Sequence, residues 1–311
     1  GEIHHDEWVN FAHNRNCALQ HAQGKTDYVL IFDADDRFEG NFVLPEELTS
    51  DRYYLRMANS VTGANVYFRT LMFRNDGSFY WRGVLHEFVE QRKKTIVEQK
   101  IFGDYYVISG RFGARSNNPQ KYFQDAQVLE KAFYSPEDED LKDRYAFYTA
   151  QSYRDADMYE KAIEWYAIRA NLGGWSEEVY YSFLQIALLK IELNASLNEI
   201  QNLLLSTYEY RPQRAESLYH LARLLRHNNK ARLAYIYATV AANIPLSKDI
   251  LFVDHSVYEW KAKEELAMSA NSVGNYQLCH DLCVELLFNP AVPEPNRKLL
   301  LDNLKLAKEH L

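Results

Sequence analysis

The chain has 311 residues, with 35 Lys and Arg against 43 Asp and Glu, for a net charge of −8. That length suits two domains of ordinary size, and the acidic balance argues against a nucleic-acid surface. No apolar run approaches the ~20 residues of a membrane span, and no signal peptide is visible.

Cys17, Cys279 and Cys283 give neither a disulfide framework nor a zinc-ligand spacing. This points to a reducing compartment and a cytoplasmic location. Cys279 and Cys283 stand one helical turn apart, as packed small apolar side chains do. The sequence begins at Gly1, so a processed or excised piece is expected.

The spacing of Val9, Phe11, Ala12, Cys17, Ala18, Leu19 and Ala22 predicts an amphipathic helix over residues 8–22 that stops near Gly24. Tyr28 to Phe32 follows as a continuous apolar run, which reads as a strand buried on both faces. Asp33, Asp35 and Asp36 then arrive together at its C-terminal end, where open α/β sheets bind ligands. Two unit charges ~4 Å apart repel by about 4 kcal/mol at an effective dielectric near 20. A cation is therefore expected among them, and a hard divalent ion with oxygen ligands fits. The other reading of the same residues is an Asp-rich turn that caps a following helix. Because the order is helix then strand, the parallel partners of this strand are expected to lie before Gly1.

The segment Asn10-Phe11-Ala12-His13-Asn14-Arg15-Asn16-Cys17-Ala18-Leu19, followed by Asp27-Tyr28-Val29-Leu30-Ile31-Phe32-Asp33-Ala34-Asp35-Asp36, resembles the middle of a family 2 glycosyltransferase of the GT-A fold. In that family an Arg-Asn pair, here Arg15-Asn16, opens the helix and the strand ends in a D-x-D motif, here Asp33 and Asp35. The resemblance implies a divalent ion, Mn²⁺ or Mg²⁺, held by Asp33 and Asp35 against the diphosphate of a nucleotide-sugar donor such as a UDP-sugar. It also implies a carbohydrate or protein acceptor.

Residues 53–57 and 66–73 read as two strands joined through a polar stretch with Gly63, and Asn75-Asp76-Gly77 marks a turn. Tyr80-Trp81-Arg82-Gly83-Val84-Leu85-His86-Glu87 resembles the W-x-G-x-x-H-E segment of a subset of the same family. That implies that Gly83 lets the backbone approach the sugar and that Glu87 is the general base. From the residues alone, a carboxylate beside an acceptor cleft can take a hydroxyl proton, and Trp81 and Tyr80 are able to stack on a sugar ring or to sit in the core. Ile101 to Arg111 is the last strand signal. Relatives place a His near 109 as a metal ligand, whereas this chain has Ser109. Arg111 and Arg115 in the loop behind it suit diphosphate oxygens, or are plain solvated arginines.

From Pro119 onward the periodicity is helical, and a domain boundary is placed at 116–119, giving domains 1–116 and 117–311. Ala150, Tyr153, Ala162 and Tyr166 fall at the small and aromatic positions of a tetratricopeptide-like helix pair. Ala222, Leu225, Ala234 and Ala238 repeat the offsets, as do Ala267, Ala270, Cys279 and Cys283. A lengthened copy spans 177–212. One pair cannot bury its apolar face alone, whereas several stacked pairs can.

The expected fold class is thus α/β followed by all-α: a partial, Rossmann-like GT-A sheet domain and a tetratricopeptide-like helical solenoid. The expected activity is metal-assisted inverting sugar transfer to an acceptor hydroxyl. The other reading is a non-catalytic scaffold, a degenerate transferase domain carrying helical repeats that bind a protein partner or mediate self-association.

Overall fold

A computed structural model describes residues 1–58, 67–110 and 118–311. It divides into two compact units, Gly1–Asp157 and Met158–Leu311.

In the first unit, α1 (Phe11–Ala22) is capped by Asn10, whose side chain accepts the His13 N–H at 2.8 Å. The strands are β1 (Tyr28–Leu30), β2 (Arg37–Gly40), β3 (Arg52–Ala58), β4 (Tyr67–Arg74), β5 (Phe79–Arg82), β6 (Phe88–Gln91), β7 (Glu98–Lys100) and β8 (Tyr105–Ile108). The larger sheet runs β1-β4-β3-β8-β2, with β7 beside β3, and β5 and β6 form a separate antiparallel pair. The β3–β4 hairpin matches the two strands expected at 53–57 and 66–73. Its register shifts between Tyr53 and Tyr54, a local bulge that adds twist. Tyr53, Leu55, Met57, Leu71, Met72, Ile101, Tyr105 and Val107 form the core of this sheet.

The sheet departs from the GT-A expectation. The Tyr28–Phe32 run, expected to be a strand buried on both faces, is a three-residue strand at the sheet edge among the described residues, paired antiparallel with β4. Val29 is its buried residue, while Leu30 and Phe32 are exposed. The β1–β4, β3–β4 and β2–β8 pairings are antiparallel, and only β3 has parallel neighbours, β7 and β8, among the described residues. A run of apolar letters cannot tell a doubly covered strand from an edge strand with one inward residue, and here the latter formed.

Two helices complete this unit: α2 (Lys121–Phe133) and α3 (Lys142–Asp155), joined through a 3₁₀ turn at Glu139–Leu141. Arg82 at the end of β5 reaches Glu90 at 3.0 Å, Asp140 at 2.7 Å and Asp138 at 3.3 Å. The Tyr145 hydroxyl donates to Asp138 at 2.7 Å and accepts the Val84 N–H at 3.3 Å. Leu85, Leu129, Ala132, Leu141 and Tyr145 fill the space between. These bonds explain why α2 and α3 group with the sheet, so that the compact units divide after Asp157 where the change of periodicity placed a boundary at 116–119.

The second unit is entirely helical in its regular elements: α4 (Tyr159–Leu172), α5 (Ser176–Glu192), α6 (Leu197–Tyr210), α7 (Glu216–His227), α8 (Ala231–Asn243), a π-helical turn (Val257–Lys261) leading into α9 (Ala262–Ser272), α10 (Tyr276–Leu287) and α11 (Glu294–Lys308). Each helix packs chiefly on the one before and the one after, which is the solenoid the repeats predict. Ala222, Ala234, Ala238, Ala267, Ala270, Cys279 and Cys283 are fully buried, because small side chains let paired backbones approach. Cys279 and Cys283 are free thiols. The turn inside the α7–α8 pair uses Asn229 at φ 57°, and that inside α9–α10 uses Gly274 at φ 81°, both residue types that tolerate the left-handed region.

Arg214 is fully buried in this unit. It donates to Glu216 at 2.8 Å, to Asp249 at 3.3 Å and to the carbonyls of Leu251 and Phe252 at 3.2 and 3.1 Å. Replacing one member of such a buried set strands the others without a counter-charge. Arg214→Met is expected to lower stability by about 3–5 kcal/mol, read as a drop in the urea midpoint, whereas Arg232→Met on exposed α8 surface is expected to leave it unchanged.

Candidate functional site

The Asn16 side chain on α1 acts as a strand edge toward β5. It accepts the Trp81 N–H at 2.8 Å and donates to the Trp81 carbonyl at 2.9 Å. Leu19 and Ala22 pack on Val29, Phe73 and Phe79 behind it. This fixes the preceding residue, Arg15, with its guanidinium 4.7 Å from the Trp81 ring centre.

Arg15 then forks. Its Nε donates to Glu87 Oε1 at 2.7 Å and its Nη2 to Asp33 Oδ1 at 2.7 Å. Burial works against the charge of Arg15, but Asp33 and Glu87 outweigh it and raise its pKa. The planar fork suits two separate carboxylates as a compact ammonium would not. Arg15 thus sets a cation of the chain itself between Asp33 and Glu87.

Asp33 opens a tight turn in which the Asp36 N–H donates to the Asp33 carbonyl at 3.0 Å and the Asp33 N–H to Asp36 Oδ2 at 3.3 Å. The acidic cluster forms an Asp-rich turn, and β2 rather than the capped helix of the turn reading follows it. Burial raises the Asp36 carboxyl above its ordinary value, and among the described residues its buried Oδ1 has no hydrogen-bond partner. Asp35 is held by backbone proximity: a Cβ at Gly110 would lie 2.2 Å from the Asp35 carbonyl oxygen.

Among the sequence-derived site residues, the structure brings Arg15, Asp33 and Glu87 together, and Asp35 stands in the same turn as Asp33. Gly83 sits at φ 94° and His86 at φ 54°, so Gly83 serves the bend that swings Glu87 toward Arg15. Arg111 and Arg115 lie outside the described residues. Trp81, read as a candidate sugar platform, is only 3% exposed, which assigns it to the core beneath Arg15. Among the described residues no group of three or more His, Cys, Asp or Glu is placed to hold a metal ion. The Mn²⁺ or Mg²⁺ expectation therefore concerns Asp33 and Asp35 alone, with Asp33 already paired to Arg15.

The helical unit carries a second site that no motif announced. Leu188, Ile191 and Glu192 on α5 face His220, Arg223, Leu224 and His227 on α7 across a cavity of about 360 Å³. Burial, then Arg223 and Lys261, push the His220 pKa down to about 4, against smaller raising effects of Asp254 and Glu216. Burial and the cations Arg226 and Arg223 lower His227 as well, opposed by Glu265. The readable signal was the spacing 220, 223, 227, which puts three polar side chains on one helix face.

No family model and no curated protein matches the chain. Among solved structures, MamA matches at 12% identity over 68% of this chain and 96% of its own, with a TM-score of 0.40. BtubC from P. vanneervenii matches at 15% identity over 61% and 72%, with a TM-score of 0.41. A Podosopora anserina chain named for kinesin light chain, with nearly identical TPR-like repeats, matches at 13% identity over 62% and 96%, with a TM-score of 0.34.

The glycosyltransferase reading is therefore corrected. No family model matches the chain, and among the described residues the sheet is largely antiparallel, with the D-x-D strand itself paired antiparallel to β4 where that reading expected a parallel sheet. The motif resemblance arose because a strand, an acidic turn and an Arg-bearing helix are common local pieces whose letters do not encode the sheet they join. With that reading go the enzyme assignment, the nucleotide-sugar donor, the sugar acceptor and the GT-A part of the fold class. The helical solenoid stands.

Arg15→Ala is expected to cost about 2–3 kcal/mol in urea unfolding, since Glu87 is largely buried and Asp33 only partly. Arg15→Lys is expected to recover part of this, because an ammonium reaches only one carboxylate well. A second expectation concerns pH. His220 is neutral in the fold but takes a proton near pH 6.5 when unfolded. Its contribution is present above pH 6.5 and is lost as pH falls toward 4, by on the order of 2–3 kcal/mol in all. His220→Phe should flatten that part of the stability profile measured by denaturant titration at several pH values.

Proposed function

We propose that this chain is a non-catalytic scaffold whose helical repeats bind a partner protein. The observation that carries the reading is the build of the second unit. Its helices pack on their neighbours in sequence and leave a half-open groove between α5 and α7, lined by apolar, imidazole and guanidinium groups. Surfaces that combine an apolar seat with a few fixed polar groups suit peptide recognition. The Arg15 node supports the same reading, because its acidic residues are joined by an internal cation. No helix among the described residues is long and apolar enough to cross a membrane.

Self-association through the repeats is the second reading. It is favoured by α11, where Leu299, Leu301 and Leu306 are exposed. Sedimentation velocity over a wide concentration range separates the two: a concentration-dependent dimer lost on Leu306→Glu supports self-association.

For the preferred reading, a photo-crosslinking benzoyl-phenylalanine placed at exposed Glu192 is expected to trap a discrete protein adduct in cells. The same group at exposed Lys94 in the sheet unit is expected to trap none. Equal labelling from both positions would remove the assignment of binding to the helical unit.

A further inference from the structure

The α5–α7 groove has a charge pattern more specific than general stickiness. Arg223 is exposed and, among the described residues, stands in no ion pair; it bonds the Tyr219 hydroxyl, and Glu264 feels its charge from further off. Its neighbours differ. Arg226 is held by both oxygens of Glu265 at 2.7 and 3.0 Å, and Lys261 by Asp254 at 2.8 Å. Arg223 is thus a cation at a cavity wall that no carboxylate among the described residues holds in an ion pair, in a protein whose net charge is −8.

His220 and His227 flank it on the same helix face, three residues before and four after. Both have lowered pKa values, so at neutral pH each imidazole offers an N–H without adding positive charge. Leu188 and Ile191 on α5, with Leu224 on α7, supply the apolar side of the cavity.

We infer that this groove receives an extended segment of the partner protein in which an Asp or Glu side chain stands beside an apolar residue. The carboxylate pairs with Arg223 and the apolar side chain sits against Leu188, Ile191 and Leu224. The inference rests on the partner-binding reading above. A guanidinium–carboxylate pair is charge-assisted and directional, and a cavity of about 360 Å³ falls in the small end of the range for ligand pockets. Glu192 at the rim on α5 repels a second anion, so the carboxylate is steered to the α7 wall.

The test is parallel selection of phage-displayed random peptides on the full chain and on the full chain carrying Arg223→Glu, with circular dichroism confirming that both fold. On the natural chain, selected peptides should be enriched in Asp or Glu next to Leu, Ile or Phe. Synthetic versions should bind equally well with free or amidated C-termini and lose roughly tenfold or more in affinity on Arg223→Ala. The Arg223→Glu chain should select Lys- or Arg-bearing peptides instead. Selected peptides that lack acidic residues, that bind Arg223→Ala unchanged, or that need a free C-terminus overturn this inference while leaving partner binding intact. Retention of no peptide, together with no photo-adduct from position 192, overturns both.

Discussion

A helical hairpin has an apolar stripe on each member and can hide only one side of each in the contact between them. The second unit is shaped by that constraint. α7 and α8 meet through Ala222, Ala234 and Ala238, and what they leave uncovered is closed by α6 on one side and α9 on the other. Because every helix depends on its neighbours, small residues recur where backbones come near, and larger ones such as Tyr180, Leu204, Leu218 and Leu225 fill the space between pairs. The groove is a by-product of this arrangement. Where α5 and α7 diverge, their facing side chains are left partly open to water, and the chemistry of those positions becomes available for recognition.

The sheet unit solves a different problem, the joining of carboxylates that come from separate segments of the chain. Asp33 and Glu87 come from a turn and a loop 54 residues apart in sequence, and a single guanidinium spans them. Arg15 is supported in turn by the Trp81 face and by the Asn16 amide pair to the same residue. Arg82 repeats the device nearby with Glu90, Asp138 and Asp140. Arg15 ties α1 to a turn and a loop, and Arg82 ties β5 to β6 and to the 3₁₀ turn, so the charged side chains of this unit act mainly as joints.

Much of the helical half was legible in the sequence, since periodicity of small and aromatic residues reports local geometry directly. The β3–β4 hairpin was legible for the same reason. The sheet order was not. Val29 points inward while Leu30 and Phe32 face out, and nothing in the letters Tyr-Val-Leu-Ile-Phe says which neighbour the strand will find. Asp33, Asp35 and Glu87 were picked out from motif letters, but the pairing of Arg15 with Asp33 and Glu87 depends on a contact spanning 72 positions. The groove on α7 was missed for another reason. His220, Arg223 and His227 look like ordinary surface polarity until α5 is placed opposite them.

The connection between α8 and the π-helical turn is held down along its length. Glu177 on α5 accepts the N–H groups of Ile250 and Leu251 at 2.9 and 2.8 Å, Arg211 grips Asp249, and Arg214 takes the next two carbonyls. A stack of repeats with contacts only between adjacent members loses its structure progressively from either end, like a zip. Here a long-range clasp joins helices that are not adjacent in the stack, so opening the stretch from α5 to α9 one helix at a time means breaking bonds that reach past the nearest neighbour.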